Sequence, residues 1–110
     1  MGEMLPFQLE RIEGMTHSWD VRGKRGFKDV WDTNIYITTS GVWSVNPMRC
    51  LLQNTKVSHV LYSVDWPFTS NERGSEWLGQ LEASGLLKKE EIEMIAHGNA
   101  ERLLKIKARG

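Results

Sequence analysis

Apolar positions recur along the chain with two different periods, and the change of period marks out its elements. Leu5, Leu9, Ile12, Thr16 and Trp19 fall at helical spacing, so residues from about 5 to 19 read as an amphipathic helix. Pro6 suits its first turn, where a missing N–H costs nothing. Residues 20 to 33 are charged and carry Gly23 and Gly26, which predicts a loop with one helical turn around Phe27 to Trp31. The period then shortens. Asn34 to Thr38 is β-branched and aromatic and reads as a strand, followed by a turn at Thr39, Ser40 and Gly41. Asn46 is placed to cap a helix that runs to about Asn54, with Pro47 at its first position and Met48, Leu51 and Leu52 on its apolar side. Val57 to Val64 is a nearly continuous apolar run, the pattern of a strand covered on both faces, as in parallel sheets. Strand, helix and strand together make a βαβ unit.

The last third is helical throughout. Asn71 to about Ser84 carries Trp77, Leu78 and Leu81, and Gly85 is placed to end that helix. Leu87 to Ala96 carries Ile92 and Ile95. Gly98 is expected to close it and Asn99 to cap a last helix that buries Leu103, Leu104 and Ile106. No repeat, low-complexity segment or linker divides the chain, so residues 1–110 form one unit without a second domain.

Composition changes this picture in few places. The chain has 110 residues, 14 basic and 14 acidic, which sets it apart from proteins that bind by neutralising phosphates. No run approaches the ~20 apolar residues of a membrane span. The N-terminus lacks the basic start and apolar core of a signal peptide, and one cysteine cannot form an intrachain disulfide, so a cytoplasmic protein is expected. Five tryptophans are many for so short a chain.

Among residues able to do chemistry, Asp65 stands out. It directly follows the apolar strand in YSVDWPF, and Pro67 stops further pairing. In barrels and open parallel sheets, ligands bind at the C-terminal ends of strands, so a carboxylate there faces a pocket. The alternative is an aspartate that forms a turn or caps a helix. Glu3 precedes the first helix, where acidic residues are favoured electrostatically. His17, His59 and His97 match no metal-ligand spacing and read as surface or packing residues. Cys50 reads as a buried thiol. The charge run from Lys88 to Glu91 reads as a solvated helix surface. Trp77, Trp31 and Trp19 read as packing. Trp43 and Trp66 follow strand ends and suit a pocket wall as well as a core.

NIYITTSG, LYSVDWPF, the SEW of Ser75 to Trp77 and HGNAERLLKI occur in an order and at intervals that resemble the C-terminal part of the amidohydrolase-related, metal-dependent decarboxylases. The hydroxybenzoate branch, with 2,3-dihydroxybenzoate and γ-resorcylate decarboxylases, is the nearest. MGEMLPF is similar to a segment that follows a histidine in that group, and the likeness is weakest from about Met15 to Phe27. The resemblance implies an α/β fold, the last two parallel strands of a TIM barrel with their helices. Because a full barrel takes about 250 residues, it also implies an incomplete one.

The resemblance further implies a divalent metal, zinc or manganese, with Asp65 as the ligand after the eighth strand and the proton donor to the ring. Glu3 matches a glutamate that supports a catalytic histidine. Ser40, Trp43, Trp66 and Phe68 would belong to the substrate pocket, with Val42-Trp43 standing where the family carries Asn-Phe. The other ligand positions have no match in the 110 residues. The expectation is therefore a fragment of a non-oxidative aromatic-acid decarboxylase that neither holds the metal nor acts by itself. Its substrate would be a small aromatic carboxylic acid, without a role for nucleic acid or membrane. Two alternatives are a metal-dependent hydrolase of the same superfamily and a non-catalytic fragment that associates with itself or a paralogue.

Overall fold

The computed structural model describes residues 1–16 and 25–107. Helix α1 (Leu5–Thr16) buries Pro6 and Leu9. The predicted extension of α1 to Trp19, with His17, and the glycine-bearing stretch around Gly23 lie outside the described residues. Helix α2 (Phe27–Asn34) is longer than the single turn expected and buries Trp31. Gly26 offers no side chain to cap it. The Glu13 carboxylate of α1 takes that role, accepting the Lys28 N–H at 2.7 Å, and so ties the two helices together at an end rich in unpaired donors.

Strand β1 (Ile37–Thr38) and strand β2 (Val60–Leu61) pair in parallel, Ile37 opposite Val60 and Thr38 opposite Leu61. Helix α3 (Val45–Asn54) connects them, as the βαβ reading requires. Both strands are shorter than their apolar runs. Asn34 belongs to α2, and Val57–His59 forms a 3-10 turn. In place of strand pairing, the Val57 carbonyl accepts the side-chain amide of Asn99 at 2.8 Å. Val60 is fully buried, but Leu61 to Val64 are only half-buried. Helix α3 starts two residues earlier than predicted, with Ser44 and not Asn46 at its cap. Pro47 is tolerated at the third position because none of the first four amides of a helix needs an intrahelical partner.

Helix α4 (Asn71–Ala83) matches its expected span. The Ser70 hydroxyl caps it by accepting the Arg73 N–H at 3.3 Å, and Gly85 follows it at φ +70. The chain then runs through α5 (Lys89–Glu93), a π-turn over Met94–Gly98 and α6 (Asn99–Leu104). Gly98 does not close a helix; its φ of −59 and ψ of −39 are helical. Asn99 is not a cap either, since it is completely buried. The inward stripe passes through Ile95 and Asn99, and α6 ends at Lys105 soon afterwards, which leaves Leu103, Leu104 and Ile106 exposed and not buried as predicted. No helix of the described residues is long and apolar enough to cross a membrane.

The core joins Leu9, Trp31, Ile37, Met48, Leu51, Val60, Trp77, Leu81 and Ile95, so every layer contributes to one interior. Trp31 and Trp77 are packing residues, as expected. The Trp31 indole N–H donates to Thr55 Oγ1 at 2.9 Å.

Candidate functional site at the C-terminal ends of the strands

Because β1 and β2 are parallel, the residues that follow them emerge at one end. Past the two paired positions, the ladder continues by other means. The Thr39 N–H donates to the Leu61 carbonyl at 3.0 Å. The fully buried Thr39 hydroxyl then accepts the Ser63 N–H and donates to the Ser63 carbonyl, both at 3.1 Å. One hydroxyl thus replaces a further residue pair and carries β2 straight on towards Asp65.

At Asp65 the backbone turns. Its φ is +71, a left-handed conformation that L-residues rarely adopt and that aspartate tolerates better than most. Its carbonyl accepts the Phe68 and Thr69 amides at 2.9 and 3.2 Å, which closes the turn, while the side chain stays exposed. Both readings of Asp65 therefore meet in one residue: its backbone forms the turn and its carboxylate is left free. Trp66 and Phe68 follow it at 72 and 87% exposure, large apolar groups open to a further surface or ligand.

Glu3 lies at the same end of the sheet by a separate route. Gly2, at φ +73, passes so close to β1 that a Cβ there would lie 3.1 Å from Ile37 Cδ1. The Met1 ammonium donates to the Ser40 carbonyl at 3.4 Å. Burial holds that ammonium below its usual range, and the Glu3 carboxylate opposes the shift. Glu3 shares with Asp65 a left-handed φ, here +53. It lines a cleft of about 310 Å³ with Pro6, Phe7, Val42, Pro47 and Cys50. Cys50 is half-buried there and not the sequestered thiol expected. The Ser40 hydroxyl is 3.0 Å from that of Thr38.

Trp43 turns towards α4 and not towards Trp66. Its ring meets Trp77 edge-on, at 5.7 Å between centroids and 71° between planes. It also lines a polar cavity of about 70 Å³ with Arg73, Glu76 and Gln80. Both indole N–H groups are buried without an acceptor among the described residues.

His59 and His97, the histidines among the described residues, behave as surface or packing groups. His59 stacks on Tyr36 with centroids 4.1 Å apart, and its Nδ1 lies 2.8 Å from the Ile35 carbonyl. His97 pairs with Glu101 on an exposed helix face at 2.7 Å. Among the described residues no group of three or more His, Cys, Asp or Glu side chains is placed to hold a metal ion. One carboxylate does not make a divalent-metal site, so these residues by themselves do not fit one.

Sequence reasoning missed Thr39 and Asn99. A hydroxyl at a strand end and an asparagine inside an apolar helical stripe carry no period. The only signal was polarity at a position where the pattern called for an apolar residue.

The amidohydrolase family model matches residues 14–106. The chain is 56% identical over 108 residues to the decarboxylase orsB of Emericella nidulans, covering 96% of this chain and 33% of that protein. It is 30% identical to the gamma-resorcylate decarboxylase of a Rhizobium species, covering 96% and 32%. Among solved structures, it superposes on a 2,6-dihydroxybenzoate decarboxylase complexed with 2,6-dihydroxybenzoate, with a TM-score of 0.82, 28% identity and coverage of 96% and 32%. A dihydroxybenzoic acid decarboxylase from Polaromonas sp. JS666, with bound manganese and the inhibitor 2-nitroresorcinol, gives a TM-score of 0.82, 26% identity and coverage of 94% and 31%. The chain spans about a third of the length of the curated relatives it matches, and its two parallel strands with flanking helices form a segment of their barrel, not a closed one. The chain belongs to the amidohydrolase family.

Proposed function

We propose that these 110 residues supply the last two strands, and the acid that follows them, to a cytoplasmic, non-oxidative decarboxylase of hydroxybenzoate type. The observation that carries this reading is Asp65: an exposed carboxylate on a left-handed turn, at the end of a parallel strand held on both sides, in a chain 56% identical to a decarboxylase. Supporting it, Trp66 and Phe68 are exposed apolar groups within three residues of that carboxylate, suited to an aromatic ring.

In this mechanism Asp65 delivers a proton to the ring carbon that bears the carboxylate. The ring is dearomatised by that protonation, the bond to the carboxylate breaks, CO2 leaves and aromaticity returns. Ser40 and Thr38 offer hydroxyls at the same end. Glu3 supports the neighbouring catalytic group. Trp43, held by Trp77, bounds the pocket from behind. Zinc or manganese belongs to the complete site, and its remaining donors come from outside the described residues.

The reading is tested by exchange of parts. In the Emericella nidulans decarboxylase, the matched third is replaced by this chain. The expected result is CO2 release from a panel of hydroxybenzoates, without turnover of esters or lactones. The 110 residues alone are expected to release none. A chimera that hydrolyses esters and leaves hydroxybenzoates intact would move the assignment to the hydrolases. CO2 release by the isolated chain would show that it carries a complete site.

A further inference from the structure

The two edges of β2 are held differently. In a parallel pair, alternate residues direct both backbone groups to the same neighbour. The Thr39 amide bonds to the Leu61 carbonyl, so Leu61 faces β1 while Val60 and Tyr62 face the other way. On that outer side the partner is a helix. The Val60 carbonyl accepts the Asn99 side-chain amide at 2.8 Å, and the Tyr62 N–H donates to the Ile95 carbonyl at 2.9 Å.

A regular α-helix has no carbonyl to spare in mid-course. The π-turn provides one. The Asn99 N–H bonds back to the Met94 carbonyl, five residues away, and not to that of Ile95. The Ile95 carbonyl is left without its helical donor and takes the strand amide. Asn99 itself is fully buried and completely used. Its NH2 spans the Val57 and Val60 carbonyls, and its oxygen accepts from Arg102, which also reaches the Ser58 carbonyl.

We propose that Asn99 is a positioning residue for Asp65. With the Ile95 carbonyl released by the π-turn, it acts as a surrogate strand on the outer edge of β2. Val60 and Tyr62 are fixed on the helix side, Leu61 and Ser63 on the β1 side, and Asp65 is presented two residues beyond the last clamp. The same geometry limits any strand that joins β2 from outside to the stretch beyond the Tyr62 amide. The functional meaning rests on Asp65 being the acid of the site, but the clamp does not.

The test is Asn99→Leu in the full chain, which keeps the volume and removes the donors. Amide hydrogen exchange is followed by NMR, with Leu9 and Leu51 as reference core amides. The Tyr62 amide is expected to exchange at least about tenfold faster relative to those references. The Asp65 13Cα and 13Cβ shifts, which report its left-handed φ, are expected to move at the same time. Equal acceleration of all three amides, or an unchanged Asp65 signature, would reduce Asn99 to an ordinary packing residue and overturn the proposal. If Asn99→Leu does not fold, Arg102→Ala removes an exposed partner of the Asn99 oxygen. It is expected to produce a smaller change, confined to Tyr62 and Asp65, and no change there overturns the proposal equally. An Asp65→Asn chimera that stayed fully active would overturn the role of Asp65 and leave the clamp untouched, and a failed clamp would leave the role of Asp65 standing.

Discussion

The two ends of the strand pair are built on opposite principles. At the end where the strands begin, polar groups are paired off. The Ile35 carbonyl meets His59, the Val57 and Val60 carbonyls meet Asn99, and the Ser58 carbonyl meets Arg102. At the end where they finish, side chains are left over. Asp65, Trp66 and Phe68 stand exposed, and Glu3 and Asp65 both sit in left-handed backbone. One end lowers free energy and the other holds groups in reserve. Barrel enzymes divide labour in the same way, with stability at the N-terminal face of the strands and chemistry at the C-terminal face.

The comparison can be broken by substitutions, and the largest effect belongs to the buried side. Trp77 is 1% exposed and supports both the core and Trp43. Trp77→Ala should cost about 3–5 kcal/mol in chemical denaturation; a loss below 1 kcal/mol would mean that the core lies elsewhere. Gly74 lies between the two regions. A Cβ there would overlap the Tyr62 hydroxyl and come within 2.9 Å of Val64 Cγ2, close to the start of the Asp65 turn. Gly74→Ala should therefore destabilise by about 1–3 kcal/mol through overpacking, read as a shifted denaturation midpoint. The smallest effect is expected at the open end. Trp66→Ala and Phe68→Ala should each change stability by no more than about 0.5 kcal/mol. A loss near that of Trp77 would show that these rings are structural.

Much of the closed region was legible in the sequence, because burial leaves a period. Trp77 and Leu81 on α4, Met48 and Leu51 on α3, and Ile95 in the π-turn all stood at helical spacing, and all are core. The parallel pairing of β1 and β2 followed from a continuous apolar run beyond a short helix. What failed did so where hydrogen bonds override hydrophobic patterning. Val57–His59 looks like strand, yet its carbonyls go to Asn99 and Arg102 and it coils into a 3-10 turn. Asn99 looks like a helix cap, yet the π-turn carries the helix through it. Leu104 and Ile106 look like core, but they follow the last inward position and lie 63 and 55% exposed.

The candidate site was legible in a different way. Asp65 was marked by its place after an apolar run, and the structure adds the left-handed turn that the letters do not show. Trp43 was readable as pocket wall or as core, and its ring is packed against Trp77.

The most direct test of the account is Asp65→Asn in the decarboxylase chimera. Asparagine keeps the shape of the side chain and tolerates the left-handed φ, so the fold should be retained while the acid is lost. The account predicts that decarboxylation falls by at least about a hundredfold and that bound metal falls with it. Activity and metal content both matching those of the unsubstituted chimera would contradict it.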